Sequence, residues 1–172
     1  FSRAEAGLPE AGFVFCCFNN SYKFTPQIFD VWMRLLKTVD GSVLWLSEPN
    51  ASASRNLRTE AEKRGVSPER LVFASFLQKL DEHLARLKLA ELFLDTLPCN
   101  AHTPASDALW AGLPVLTCLG DAFAGRVAAS LLHAAGAADL VTNNLEEYGA
   151  LALKLAREPA RLADIKARIV RN

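Results

Sequence analysis

Phe13-Val-Phe-Cys-Cys-Phe18 is a short run of apolar residues, and such a run predicts a strand that is buried on both faces. Thr25 follows as a helix N-cap, with Pro26 at the first helical position. The next apolar residues recur at helical spacing: Ile28, Trp32, Leu35, Leu36 and Val39. This stretch therefore predicts one strand and one crossover helix of a parallel α/β sheet.

The rest of the chain repeats this alternation of apolar strands and amphipathic helices. Strands are predicted at Val43–Leu46, Leu71–Ala74, Leu92–Leu94 and Pro114–Cys118, with a short edge strand at Asp139–Val141. Helices are predicted around residues 51–65, 80–90, 104–111, 122–135, 145–157 and 159–170. Trp32, Trp45 and Trp110 are expected in the core. The predicted fold is α/β, a doubly wound parallel sheet over residues 13–172, with residues 1–12 as a linker remnant.

The composition is that of a globular domain. Of 172 residues, 51% are hydrophobic and 22% are charged, and 19 Lys and Arg balance 19 Asp and Glu. This excludes disorder, and it argues against nucleic acid or membrane partners, which need clustered positive charge. The chain has no apolar run of ~20 residues, and its four cysteines are irregularly spaced. We therefore expect a cytoplasmic protein with reduced thiols. The start on Phe1 suggests a fragment of a longer protein.

In a doubly wound sheet, ligands bind at the carboxyl ends of the strands, where the strand order reverses. The corresponding loops are residues 19–24, 47–54, 75–83, 95–107 and 119–125. In the first loop, two amides, a hydroxyl and Lys23 could donate to an anion, or the loop could be a solvated turn. His83 and Arg86 share one helical face, where they could contact a ligand or form a surface pair.

The segment Cys99–Asp107 contains a second candidate anion site. Thr103 is predicted as an N-cap with Pro104 at the first helical position, which leaves the N–H groups of Ala105 and Ser106 free. A helix N-terminus suits a phosphate, to which His102 could donate, while Asp107 could accept from a ribose hydroxyl. The alternative is a capped helix whose Asp107 only complements the helix dipole.

Several other chemistries lack their sequence motifs. The first strand is not followed by Gly-x-Gly-x-x-Gly, and Gly120–Gly125 is followed by Arg126 and Val127 rather than by Lys and Ser or Thr. These features argue against a nicotinamide dinucleotide site and a triphosphatase phosphate loop. No Asp-x-Asp pair or Cys-x2-Cys pair points to a metal site.

Five ordered blocks resemble the catalytic region of O-linked N-acetylglucosamine transferases. They are Phe18–Lys23, Ser42–Leu46, Cys99–Thr103, Asp107–Val115 and Arg126–Ser130. The resemblance implies a Rossmann-like lobe, the C-terminal, UDP-binding lobe of a GT-B glycosyltransferase, over residues 13–172. The N-terminal catalytic lobe and the tetratricopeptide repeats of that family are not in this sequence.

The resemblance also implies which residues bind UDP. They are Asn20, Lys23, Gln78, His83, Arg86, His102, Thr103 and Asp107. Lys23 would be catalytic, contacting the diphosphate and stabilising the departing UDP. The backbone near Gln78 would contact uracil, His83 and Arg86 would flank the nucleoside, His102 and Thr103 would hold the phosphates, and Asp107 would bind the ribose.

Three positions depart from the family pattern. Asn20 stands where a glutamine is usual, Leu80 where a lysine near the base is common, and Pro104 where a second threonine would be.

The function implied by the resemblance is inverting, metal-independent transfer of N-acetylglucosamine from UDP to Ser or Thr hydroxyls of proteins, without a cofactor. The expected partners are UDP-N-acetylglucosamine or UDP, a protein or peptide acceptor, and the missing lobe and repeats, but neither nucleic acid nor membrane. The fragment alone is expected to turn over poorly. The alternatives are the same fold with another nucleotide sugar or acceptor, and a non-catalytic nucleotide-binding or scaffold module.

Overall fold

Buried apolar strands form the centre of the computed structural model, which describes residues 1–48 and 50–172. The strands are Val14–Cys17 (β1), Val43–Ser47 (β2), Leu71–Ala74 (β3), Leu92–Leu94 (β4), Val115–Cys118 (β5) and Val141–Thr142 (β6). They pair in parallel in the order β3-β2-β1-β4-β5-β6. The strand order reverses between β1 and β4, which confirms the predicted doubly wound sheet.

Within the described residues, five helices connect these strands, and two more follow the last strand. They are Pro26–Thr38 (α1), Ala51–Lys63 (α2), Leu80–Leu87 (α3), Thr103–Trp110 (α4), Val127–Ala134 (α5), Leu145–Arg157 (α6) and Pro159–Arg171 (α7). Short 3-10 helices span Ser21–Lys23, Pro68–Arg70, Phe123–Gly125 and Ala138–Leu140. In the described part of the chain, no helix is long and apolar enough to cross a membrane.

The strand and helix predicted from residues 13–39 are confirmed. Every residue of β1 is buried, and the strand is central in the sheet, paired with β2 on one side and β4 on the other. Thr25 caps α1 by accepting the N–H of Ile28 at 3.2 Å, and Pro26 opens the helix. Trp32 on the buried face of α1 donates to the Tyr148 hydroxyl on α6 at 3.0 Å, which ties α1 to α6.

The start of α4 differs from the prediction. His102 is the N-cap residue, Thr103 is the first helical residue and Pro104 is the second. Proline fits there because the early N–H groups of a helix have no intrahelical partner. The N–H of Ser106 is not free, since it donates to the His102 carbonyl at 3.1 Å.

Two predicted elements near the carboxyl terminus are also shifted. The helix predicted at 122–135 is a 3-10 turn followed by α5, because the Gly125 carbonyl accepts the N–H of Gly120 at 2.6 Å instead of continuing a helix. The edge strand predicted at Asp139–Val141 is Val141–Thr142 and begins two residues later than predicted, since Ala138–Leu140 form a 3-10 helix.

Trp110 was predicted in the core and is 83% exposed. The buried side of α4 consists of Ala105 and Ala108. Trp110 lies two residues after Ala108, and residues two apart on a helix do not share a face.

The N-terminal segment packs on the sheet. Arg3 forms an ion pair with Glu91 and donates to the Gly12 carbonyl at 2.8 Å, and Leu8 is buried. These contacts attach residues 3–12 to the amino end of β1, because the Glu91 carboxylate also accepts the N–H of Val14 at 2.6 Å. The interpretation of residues 1–12 as a linker stays a prediction.

Candidate functional site

The loops that follow β1 and β4 meet at the point where the strand order reverses. Lys23 lies at the end of the first loop, and Asn100 lies in the second. The Lys23 ammonium donates to the Asn100 carbonyl at 3.5 Å. The predicted lysine is therefore placed beside the residues that lead into α4, where ligands of doubly wound sheets bind.

A cavity of about 410 Å³, within the size range of small-molecule sites, lies at the same carboxyl edge of the sheet. Five of the eight predicted residues line it: Asn20, Gln78, His83, Arg86 and Asp107. They come from the loops after β1 and β3 and from α3 and α4. The sheet topology thus brings together residues that are far apart in sequence.

The other three predicted residues, Lys23, His102 and Thr103, are outside the cavity lining. Pro104, which follows Thr103, does line the cavity, so the start of α4 forms its border. Both His102 and Thr103 are exposed. The N–H groups available at this helix end belong to Thr103 and Ala105, because Pro104 has none.

Arg86 is a buried residue of the cavity wall. Its side chain is only 7% exposed, so the alternative of a surface pair with His83 is wrong. Its guanidinium donates to the Ser75 carbonyl at 2.5 Å and lies 5.1 Å above the Phe18 ring. Burial lowers the pKa of Arg86. These contacts hold the loop after β3, which carries Gln78, against the end of β1.

His83 and Asp107 are neighbours in the cavity wall. Its Nε2 lies 3.8 Å from Asp107 Oδ2, and both side chains are about one-fifth exposed. Burial, reinforced by the positive charge of Arg86, lowers the pKa of His83, while Asp107 acts in the opposite direction. The imidazole is therefore neutral at pH 7 and can donate or accept a hydrogen bond.

Asp95 lies beneath the site, immediately after β4, and is 1% exposed. Its carboxylate accepts the N–H groups of Thr96 and Ala101 at 2.8 and 2.7 Å and the Thr117 hydroxyl at 2.7 Å. Burial raises its pKa to about 6, although these hydrogen bonds favour the ionised form. Asp95 is therefore a buried carboxylate that is ionised at neutral pH.

This raised pKa predicts the stability of Asp95→Asn. A carboxyl group whose pKa is higher in the folded than in the unfolded protein stabilises the fold at pH values below its unfolded pKa. This stabilisation is lost as the pH rises through the folded pKa of about 6. Asn has no such titration. The free energy of unfolding in urea is compared for the two proteins at about pH 4.5 and at pH 8. From the lower to the higher pH, we expect the value for Asp95→Asn to rise by about 2 kcal/mol relative to that of wild type. Parallel pH profiles of the two proteins would contradict the burial effect.

The profile of glycosyl transferase family 41 matches residues 1–172, the whole chain. The chain belongs to glycosyl transferase family 41. This confirms the resemblance drawn from the five sequence blocks.

Two curated proteins illustrate the extent of the match to family 41. The UDP-N-acetylglucosamine–peptide N-acetylglucosaminyltransferase of Caenorhabditis elegans is 38% identical over 98% of this chain and 14% of its own length. The probable UDP-N-acetylglucosamine–peptide N-acetylglucosaminyltransferase SEC of Arabidopsis thaliana is 42% identical over 93% of this chain and 16% of its own length. The chain thus spans about one-seventh of these relatives.

A solved structure supports the fold of this family 41 lobe. A lysine-to-methionine mutant of Thermobaculum terrenum O-GlcNAc transferase superimposes with a TM-score of 0.88 at 34% identity, covering 96% of this chain and 33% of that one. The fold is that of the C-terminal lobe of a GT-B glycosyltransferase.

Two residues that line the cavity were not predicted as site residues from the sequence. Glu48 follows β2 and Phe76 follows β3, and both line the cavity. Their loops were identified as ligand-facing, but neither residue type indicated a ligand. Asp95 carried one usable signal, since it is an acidic residue directly after a strand at the reversal point. Among the described residues, no group of three or more His, Cys, Asp or Glu side chains could hold a metal ion.

Proposed function

We propose that this chain is the donor-binding lobe of an enzyme that transfers N-acetylglucosamine from UDP to Ser or Thr hydroxyls of proteins. The observation that carries the proposal is the contact of Lys23 with the loop that leads into α4, a helix whose Pro104 and Asp107 line a cavity together with His83. Family membership and the activities in the names of the two curated relatives support the same assignment.

The nucleoside would occupy the cavity. Asp107 can accept from the ribose hydroxyls, and the neutral His83 beside it can donate to or accept from the same sugar. The loop that carries Gln78 would offer backbone groups to uracil, and Arg86 would hold that loop from behind. In this proposal Arg86 is part of the wall of the nucleoside site.

The diphosphate would lie between Lys23 and the N-terminus of α4. A helix N-terminus carries about half a positive charge and free N–H groups, here those of Thr103 and Ala105. His102, the exposed N-cap residue, could donate to the same phosphates. Asn20 lines the cavity and could contact the nucleotide.

The reaction would be a single displacement that inverts the anomeric carbon. The acceptor hydroxyl oxygen forms a bond to the anomeric carbon and loses its proton to a base, which we place on the proposed N-terminal lobe. At the same time the bond from the anomeric carbon to the β-phosphate oxygen breaks, and its electron pair leaves with UDP. Lys23 and the α4 N-terminus would stabilise the charge that develops on the leaving diphosphate. Because these groups supply positive charge, we include independence from a divalent metal and from any cofactor in the proposal.

A second candidate keeps this scaffold but uses another nucleotide sugar. Leu80 lines the cavity, is exposed, and stands where the family resemblance implies a lysine near the base. Glu48 adds a carboxylate to the same wall. Both features change the polarity of the base-binding end and therefore favour testing donor choice directly.

The test compares sugar transfer from different donors by the full-length protein. We propose that this protein also contains an N-terminal catalytic lobe and tetratricopeptide repeats. We expect transfer to a Ser/Thr peptide from UDP-N-acetylglucosamine in excess EDTA, with little transfer from UDP-glucose or GDP-fucose. NMR of the glycopeptide should show the anomeric configuration inverted relative to the donor. Preference for GDP-fucose would establish the second candidate, and binding of donors without any transfer would indicate a non-catalytic module.

The cellular setting is also a proposal. All four cysteines of the chain are free thiols in the structure, and Cys16, Cys17 and Cys118 are buried. Reduced thiols are typical of the cytoplasm, and we propose that location for the enzyme.

A further inference from the structure

Asp95 is joined to both ends of the loop between β4 and α4, residues 96–102. Its Oδ1 accepts the N–H of Thr96 at one end and the N–H of Ala101 at the other. Its Oδ2 accepts the hydroxyl of Thr117 on the neighbouring strand β5. The carboxylate therefore closes the loop and fixes it to the sheet.

Hydrogen bonds within the loop connect its anchored end at Thr96 to Cys99 and Asn100. The Asn100 amide donates to the Thr96 carbonyl at 2.8 Å, and the Thr96 hydroxyl donates to the Cys99 carbonyl at 2.6 Å. The Asn19 amide on the β1 side donates to the Thr96 hydroxyl at 2.6 Å. The shape of the loop thus sets the position of the Asn100 carbonyl.

The same loop contacts Lys23 and leads into α4. The Asn100 carbonyl accepts from the Lys23 ammonium, and His102 at the end of the loop is the N-cap of the helix. The distance between Lys23 and the helix N-terminus therefore depends on the loop that Asp95 holds.

We propose that Asp95 is a positioning residue for the donor diphosphate, because its carboxylate holds the 96–102 loop so that Lys23 and the N-terminus of α4 face one anion. The inference rests on the proposed function, since it concerns the diphosphate of UDP. Asp95 itself is buried beneath the loop and does not touch the donor.

The negative charge of the Asp95 carboxylate strengthens the hydrogen bonds that hold the loop. The titratable groups that face it are the thiols of Cys17 and Cys118 and the Tyr148 hydroxyl, and burial raises the pKa of each. They remain neutral at neutral pH. Hydrogen bonds to an ionised acceptor are roughly twice as strong as those to a neutral one. An amide at position 95 would keep the shape of the cluster and lose this strength.

The experiment measures the affinities of UDP and uridine for the full-length protein and its variants at neutral pH. Asp95→Asn should weaken UDP binding about tenfold and uridine binding less than about twofold, because uridine lacks the diphosphate. Thr117→Val, which removes one donor to the carboxylate, should weaken UDP binding about threefold, and Thr117→Ser should restore it. Melting temperatures show whether each variant is folded.

Thr142→Val is the matched control. The Thr142 hydroxyl donates to the Thr117 carbonyl at 2.8 Å in the same buried layer but makes no bond to Asp95. Its UDP affinity should equal that of wild type.

The outcomes separate this inference from the proposed function. Equal losses of UDP and uridine affinity, or a folded Asp95→Asn with wild-type UDP affinity, would overturn the positioning role and leave the proposed function intact. If Asp95→Asn does not fold, wild-type UDP affinity in Thr117→Val overturns it. A wild-type protein that binds no UDP overturns the proposed function itself.

Discussion

Lys23→Ala in the full-length protein should lower kcat for N-acetylglucosamine transfer by about 100- to 1000-fold. Removal of one group that stabilises developing charge typically has an effect of this size. The Lys23 ammonium lies 3.5 Å from the Asn100 carbonyl, in the loop that leads into α4, where we place the departing diphosphate. Steady-state kinetics with a peptide acceptor measure the change.

Lys37→Ala is the control for this variant. Lys37 is an exposed lysine in the last turn of α1, whereas Lys23 precedes the first turn of that helix. The control removes the same charge from the carboxyl end of α1, so it should keep wild-type kcat. A folded Lys23→Ala protein with near-normal turnover would exclude Lys23 as the group that stabilises the leaving UDP.

Asp107→Asn should weaken UDP binding by about 10- to 100-fold, the second largest effect that we expect. A hydrogen bond to a charged acceptor contributes roughly 1.5–3 kcal/mol, and the carboxylate lies in the cavity wall beside His83. Calorimetry with UDP and with UMP should show similar losses, because both ligands carry the ribose.

Asp164→Asn provides the charge-matched control for Asp107. The Asp164 carboxylate is largely exposed on α7 and pairs only with Arg168, at 3.6 Å, among the described residues. UDP affinity should be unchanged in this variant. If Asp107→Asn binds UMP like wild type and loses only UDP affinity, Asp107 acts on the phosphates and the ribose assignment is wrong.

The sheet could be predicted because its signals are local. Val14–Cys17 and Leu92–Leu94 are short apolar runs between polar loops, and such runs identify buried parallel strands without knowledge of their partners. The helix from Pro26 was equally clear, since its cap, its proline and its apolar spacing all agree. The order of the strands then placed the site at the reversal between β1 and β4.

The features that sequence did not predict depend on tertiary contacts. Nothing near Arg86 in the sequence shows that its guanidinium lies over Phe18 and donates to Ser75. Asp95 becomes a loop anchor only when β5 brings Thr117 beside it. Trp110 had an apolar side chain but lies on the face of α4 away from the sheet, and apolar residues on a surface are common.

Calorimetric titration of the full-length protein with UDP tests the central claim most directly. We predict micromolar binding that is unchanged by EDTA, is not reproduced by GDP, and is weakened in Lys23→Ala and Asp107→Asn. A folded protein that binds no UDP, or binds GDP as tightly, would contradict the assignment of this lobe as the UDP-binding half of the enzyme.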